Sequence, residues 1–230
     1  FMYNFYPGKG IINRHSLNLM ALMFWRPNMD FKKTDHTYMF FWDAEFKDQS
    51  TLRLALANQY IFLMRDFDPT RTVGGTPLPG NKEYSFNQFT ATYQSNMAKK
   101  FTFNATSTAG QFFNGHDYSV GGQLSLRIQP WALMSLALNY DGIRLPDPHP
   151  DADLWLVSPK VDITFSKSLY WGTLVQYSNQ RDNLGINSRL QWRFAPLSDL
   201  YLVYNDNYNT DNFTPRFRSI NLKLTYWLNI

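Results

Sequence analysis

From residue 184 to residue 194 the chain alternates without a break. Leu184, Ile186, Ser188, Leu190, Trp192 and Phe194 take one parity, and Gly185, Asn187, Arg189, Gln191 and Arg193 the other. In an extended strand these two sets point to opposite faces, whereas a helix would scatter them around its circumference. The pattern recurs along the chain. Ile220, Leu222, Leu224, Tyr226, Leu228 and Ile230 alternate with Asn221, Lys223, Thr225, Trp227 and Asn229. Val120, Gly122, Leu124, Leu126 and Ile128 oppose Ser119, Gly121, Gln123, Ser125 and Arg127, and Tyr38, Phe40, Trp42, Ala44 and Phe46 oppose Asp43, Glu45 and Lys47. This periodicity predicts about twelve strands, over 11–26, 37–48, 51–65, 83–97, 99–113, 117–129, 131–143, 154–166, 169–180, 184–195, 199–208 and 216–230. Most are about twice the usual globular length of 5–6 residues and reach the roughly 9–11 that a tilted strand needs to cross a bilayer.

The predicted links alternate in length. Those around 47–50, 98–100, 129–131, 166–168 and 195–199 are short, and those at 26–36, 65–83, 142–153 and 205–216 are long. The longest, 65–83, is rich in Gly and Pro and reads as an exposed loop tolerant of change. Short turns on one side and longer loops on the other are the asymmetry of an outer-membrane barrel. Counting by alternation puts the C-terminus on the periplasmic side and makes 6–10 a tight turn, so that 1–5 is the end of a preceding strand. The expected fold is therefore all-β: an antiparallel up-and-down transmembrane β-barrel. Residues 1–230 form a single barrel domain that lacks part of its N-terminal side, the C-terminal part of a barrel of 14 or more strands, since bacterial barrels have even strand numbers.

Composition sharpens this picture. Charged residues make up 17% of the chain, against about 25% in soluble domains, while aromatics also make up 17%. A surface facing lipid accounts for so little charge beside so many rings. No stretch supplies the roughly 20 apolar residues of a spanning helix. With no cysteine, disulfides, thiolate metal sites and Cys nucleophiles are excluded. The net charge of +4 is not gathered into any run, so nucleic acid is not an expected partner. The expected partners are the lipid bilayer and the barrel-insertion machinery, which reads the last strand.

Three segments carry a resemblance: Asn187 to Phe194, Ser198 to Asn205 and Leu222 to Trp227. They resemble the end of an outer-membrane β-barrel family of unknown function from Bacteroidetes-type bacteria, and the turn from Asn4 to Gly10 fits it as well. Such proteins often carry an N-terminal carbohydrate-binding-like β-sandwich ahead of a large barrel; this chain contains no such sandwich. The resemblance implies the Gram-negative outer membrane and brings no catalytic residues with it.

Candidate chemistry is sparse. The run Asp147, His149, Asp151 and Asp153 in a predicted loop has donors for a divalent cation, although it lacks EF-hand spacing. His36 with Asp35 and His116 with Asp117 read as solvated loop-tip pairs. His15 and Ser16 are adjacent, so a strand points them to opposite faces and His15 is poorly placed to activate Ser16. Phosphate-loop, dinucleotide and zinc motifs are absent, and no cofactor is expected. The polar parity carries Asp43, Glu45, Arg53, Arg127, Asp141, Asp162, Arg189, Arg193 and Lys223, which reads as the lining of a wet lumen. The leading expectation is a porin-like, non-enzymatic barrel for solute transport or for anchoring an exported module. The alternatives are an accessory subunit bound to other outer-membrane proteins in a secretion or uptake complex, and a lipid-acting enzyme.

Overall fold

A computed structural model describes residues 1–228. About 70% of the chain is strand and 3% is helix. Thirteen strands follow one another as β1 (Met2–Phe5), β2 (Ile12–Arg26), β3 (Lys32–Phe46), β4 (Thr51–Leu63), β5 (Lys82–Gln94), β6 (Phe101–Phe112) and β7 (Gly115–Ile128). They continue as β8 (Ala132–Arg144), β9 (Ala152–Thr164), β10 (Leu169–Ser178), β11 (Asn183–Ala195), β12 (Ser198–Asn209) and β13 (Pro215–Thr225). The two short 3-10 turns, Pro27–Met29 and Asn179–Arg181, lie in links. Spatial order equals sequence order, so the strands make one antiparallel up-and-down sheet with β1 and β13 at its edges. The sheet is not closed.

The structure adds detail to the expected pattern and corrects it in places. Residues 1–5 do contain a strand, β1, paired with β2 from Met2↔Asn18 to Phe5↔His15. Two links expected to be long are short. β3 begins at Lys32, where a polar run with no hydrophobic alternation still pairs with β2, and β12 continues to Asn209 while β13 starts at Pro215. On the side of the long links, β6 and β7 are joined by only Phe113 and Asn114. The asymmetry therefore rests on 64–81, with a smaller contribution from 145–151, and is not a strict alternation. β13 ends at Thr225, short of the predicted 230, and the terminal Asn229 and Ile230 lie outside the described residues.

The chain groups into two compact units. The first contains Phe1–Met97, Asn104–Gly122 and Tyr140–Asp153; the second contains Ala98–Phe103, Gln123–Asn139 and the residues from Leu154 onward. In the first unit, register sorts the side chains cleanly. One face carries Leu17, Trp42, Leu54 and Ala91 in one row and Leu19, Phe40, Leu56 and Phe89 in the next. In the second unit, Ile163, Trp171, Leu190, Leu202 and Leu222 form an apolar row across five strands. These apolar side chains are not buried: Leu56 is 58% exposed, Leu202 41% and Leu222 69%.

The buried core lies elsewhere. In the first unit the long link 64–81 folds back through the bridge Phe67↔Leu78 and sets Leu78, fully buried, against Tyr84 and Phe86, with Ile61, Leu63, Phe112 and Phe113 around it. Gly80 allows the return path, because a Cβ there would lie 2.6 Å from the Arg65 backbone. Asp66 accepts from the Gly80 N–H, and Asp68 accepts from the Thr70 N–H and hydroxyl. Phe113 takes a left-handed backbone, φ 51°, in the tight β6–β7 link. That geometry costs a non-glycine residue about 1–2 kcal/mol, offset by ring contacts with Phe112, Tyr84 and Phe86 at 4.8–5.5 Å. The Gly/Pro-rich link is thus a built element and not a free tip. Leu78→Ala is expected to cost about 2–5 kcal/mol, while Val73→Ala, at a fully exposed position of the same link, changes stability by less than about 0.5 kcal/mol. Denaturant unfolding of the two variants in detergent checks both values.

Candidate functional site: a charge-paired polar face

Opposite the apolar face of the first unit, three consecutive rows, polar except at Phe41 and Ala55, cross the strands. Asn18, Phe41, Ala55, Thr90 and Thr108 form one; Ser16, Asp43, Arg53, Thr92 and Thr106 the next; Arg14, Glu45, Thr51, Gln94 and Asn104 the third. Asp43 is the centre of this grid. Its carboxylate accepts from Arg53 Nε at 2.6 Å, Arg53 Nη2 at 3.1 Å and Asn18 Nδ2 at 3.2 Å. The Arg53 guanidinium also lies over the Phe41 ring, 4.6 Å from its centroid. Glu45 accepts from Asn13 Nδ2 at 2.9 Å and pairs with Arg14 at 3.3 Å. Thr90 with Thr108, and Thr92 with Thr106, bond hydroxyl to hydroxyl across β5 and β6. Between these side chains is a cleft of about 380 Å³, lined by residues that include Arg14, Ser16, Asp43, Glu45, Arg53 and Gln94. At its edge, Asn18 is 2% exposed and its Oδ1 has no hydrogen-bond partner.

The polar face of the second unit is built the same way. Asp162, Gly172, Arg189, Val203 and Asn221 share a row, and Thr164, Tyr170, Gln191, Tyr201 and Lys223 share the next. Gly172 leaves room for the Asp162 carboxylate, which a Cβ there would meet at 2.7 Å. Asp162 pairs with Lys160 at 2.7 Å, and Asp199 pairs with Arg193 at 3.1 Å while also accepting from Gln191. Arg127 falls in β7 on the parity of Gln123 and Ser125, which bond to each other. Each residue expected to line a lumen therefore lies in a strand on the polar parity of its unit. Asp43 and Glu45 share their face, but each is engaged by its own arginine.

The loop cluster behaves differently. Asp153 accepts from Tyr140 and from Arg144, both at 2.6 Å; Asp151 accepts from the Leu145 N–H at 2.9 Å; His149 Nδ1 lies 3.0 Å from the Thr76 carbonyl. Among the described residues no three His, Asp or Glu side chains gather as a metal-ligand group. The His149 contact instead ties link 145–151 to link 64–81. His15 and Ser16 separate as the strand requires. Ser16 bonds Asn18 on the polar face, and His15 accepts from Trp42 Nε1 and stacks on Phe5 on the other.

Sequence reasoning passed over several members of these networks. Arg14 lies beside a register shift between β2 and β3, which interrupts simple counting of parity. Asp199 is the second residue after a two-residue link, where strand limits are hardest to set. Asp206 and Arg218 fall on the apolar parity, and a charge there was itself the available signal. Asp206 is fully shielded from solvent by its own neighbours Tyr204, Tyr208 and Arg218, all hydrogen-bonded to it.

Exposed ion pairs contribute little to stability, so Arg53→Gln is expected to cost less than about 1 kcal/mol. Arg218→Leu leaves the shielded Asp206 without its counter-charge and should lower the unfolding temperature more than Arg53→Gln does, with Arg218→Lys recovering part of the loss. Temperature-dependent gel migration compares the three. No family model, no curated protein and no solved structure matches the chain.

Proposed function

We propose that this chain forms part of the wall of an outer-membrane β-barrel whose polar face lines a passage for a polar solute. The observation that carries this reading is the sorting of the two faces. In both units, aliphatic residues that water would penalise stand exposed on one face, while the other holds hydrogen-bonded polar rows. An apolar face of this kind belongs against lipid. Its margins support the same reading. In the first unit Tyr60 stands toward the long-link end of its strand and Trp42 toward the opposite end; in the second, Tyr208 stands toward one end and Trp171, Trp192 and Phe194 toward the other. Barrels place aromatic girdles at both interfaces. Twelve residues at about 3.3 Å each, tilted by about 40°, project to roughly 30 Å, the thickness of the hydrocarbon core.

An open edge is untenable in lipid, where each unsatisfied backbone group costs several kcal/mol. The reading therefore requires further strands beside β13 and beside the part of β2 beyond Asn18, in a barrel of 14 or more. The likeness of 187–194, 198–205 and 222–227 to barrels of Bacteroidetes-type outer-membrane proteins points the same way, with the long links outside and the C-terminus periplasmic.

A second reading, a barrel that anchors another module or serves a larger complex without passing solute, is favoured by one observation. Leu22, Phe24, Ile61, Tyr84 and Phe86 make the polar face of the first unit apolar toward the long-link end, and Leu78 packs onto it. A link folded over that face narrows whatever passes along it.

Two experiments test the membrane reading. Leu222→Arg should destabilise the barrel by about 2–4 kcal/mol, and Asn221→Arg, its neighbour on the polar face, by about 1 kcal/mol or less; equal costs would overturn the assignment of faces. Val73→Cys should react with an impermeant maleimide on intact cells and Lys167→Cys should not, and the reverse pattern would invert the orientation.

A further inference from the structure

The polar face of each unit is rich in charge, and much of that charge is paired. The first unit has Arg14 with Glu45 at 3.3 Å and Arg53 with Asp43 at 2.6 Å, and the second has Lys160 with Asp162 at 2.7 Å and Arg193 with Asp199 at 3.1 Å. Within the three rows of the first unit's grid the pairing is complete, with Arg14 and Arg53 against Asp43 and Glu45. Such pairs add little to stability when half-exposed, so their effect lies in the field they produce. Opposite charges about 3 Å apart appear to an ion several ångströms away as a dipole, whose potential falls much faster than that of a single charge, and salt screens what remains. Pores that select ions use rings of one sign. Here donors and acceptors stand instead: in the first unit the threonine pairs of β5 and β6 and Gln59 with Gln88, and in the second Asn187 with Asn205 and Gln191 with Tyr201.

We infer that the charged grid of the first unit is selective for solutes without net charge, uncharged or zwitterionic, and that the Arg53–Asp43 pair holds it at that balance point. The inference rests on the solute-passage reading. It names Arg53 and Asp43 as specificity determinants because they lie at the centre of the grid, line the 380 Å³ cleft and hold each other through two hydrogen bonds. Removing either one frees a single charge of known sign.

The experiment is planar-bilayer recording of the full-length protein under a KCl gradient, together with liposome swelling in a neutral pentose, sodium gluconate and N-methylglucamine chloride. The expected K⁺/Cl⁻ permeability ratio lies within about threefold of unity, and swelling is fastest in the pentose. Arg53→Gln, which frees Asp43, should shift the ratio toward K⁺; Asp43→Asn, which frees Arg53, should shift it toward Cl⁻. Opposite shifts cannot arise from misfolding, which would reduce channel number for both variants alike. A wild-type ratio beyond threefold in either direction, slower swelling in the pentose than in both salts, or variants that fail to move the ratio in opposite directions would overturn the inference while leaving the passage reading intact. Absence of both conductance and swelling would overturn the passage reading and the inference with it.

Discussion

Every strand from β2 to β12 commits its backbone N–H and C=O groups to two neighbours, and that ladder decides where each side chain goes. With pairing fixed at Asp43↔Arg53 or Leu190↔Leu202, the period of two leaves no freedom: a one-residue slip would exchange the apolar and polar faces over a whole strand. The exposed leucines and the charge pairs are thus two results of one register. Because the ladder satisfies the backbone internally, the side chains of the two faces are free to differ in character, apolar on one and polar on the other.

Much of this was legible in the sequence where alternation is clean. β11 was readable residue by residue, since Leu190 and Arg189 differ in polarity as sharply as their faces do. The polar set from Asp43 to Lys223 followed from parity alone. Strand ends were less legible. Lys32–Asp35 and Asp206–Asn209 extend their strands through polar residues, and hydrogen bonding to a neighbour holds them there in the absence of any hydrophobic pattern. Link 64–81 was the largest gap. Its Gly and Pro content describes how the chain turns but says nothing of Leu78, whose burial depends on Tyr84, Phe86 and Phe113 arriving from two other places in the sequence.

β2 violates the alternation that its neighbours keep. From Leu19 to Trp25 it is apolar at every position, and side chains of both parities, Leu19 and Met23 as well as Met20 and Phe24, stand exposed. On one side it belongs to the exposed apolar face. On the other, Met20 lies opposite Met39, and Met39 opposite Ala57. The polar face of the first unit therefore changes character along the strands, from ion pairs at one end to methionines and aromatic rings at the other.

The strict neighbour-to-neighbour order of the thirteen strands also bears on how the molecule assembles. Each pairing closes a short stretch of chain, so the entropy lost per step is small and hairpins can add one after another. The longest excursion, between β4 and β5, is the one bridged by its own small core around Leu78. The sheet resembles a zipper whose widest gap, between β4 and β5, carries a clasp of its own.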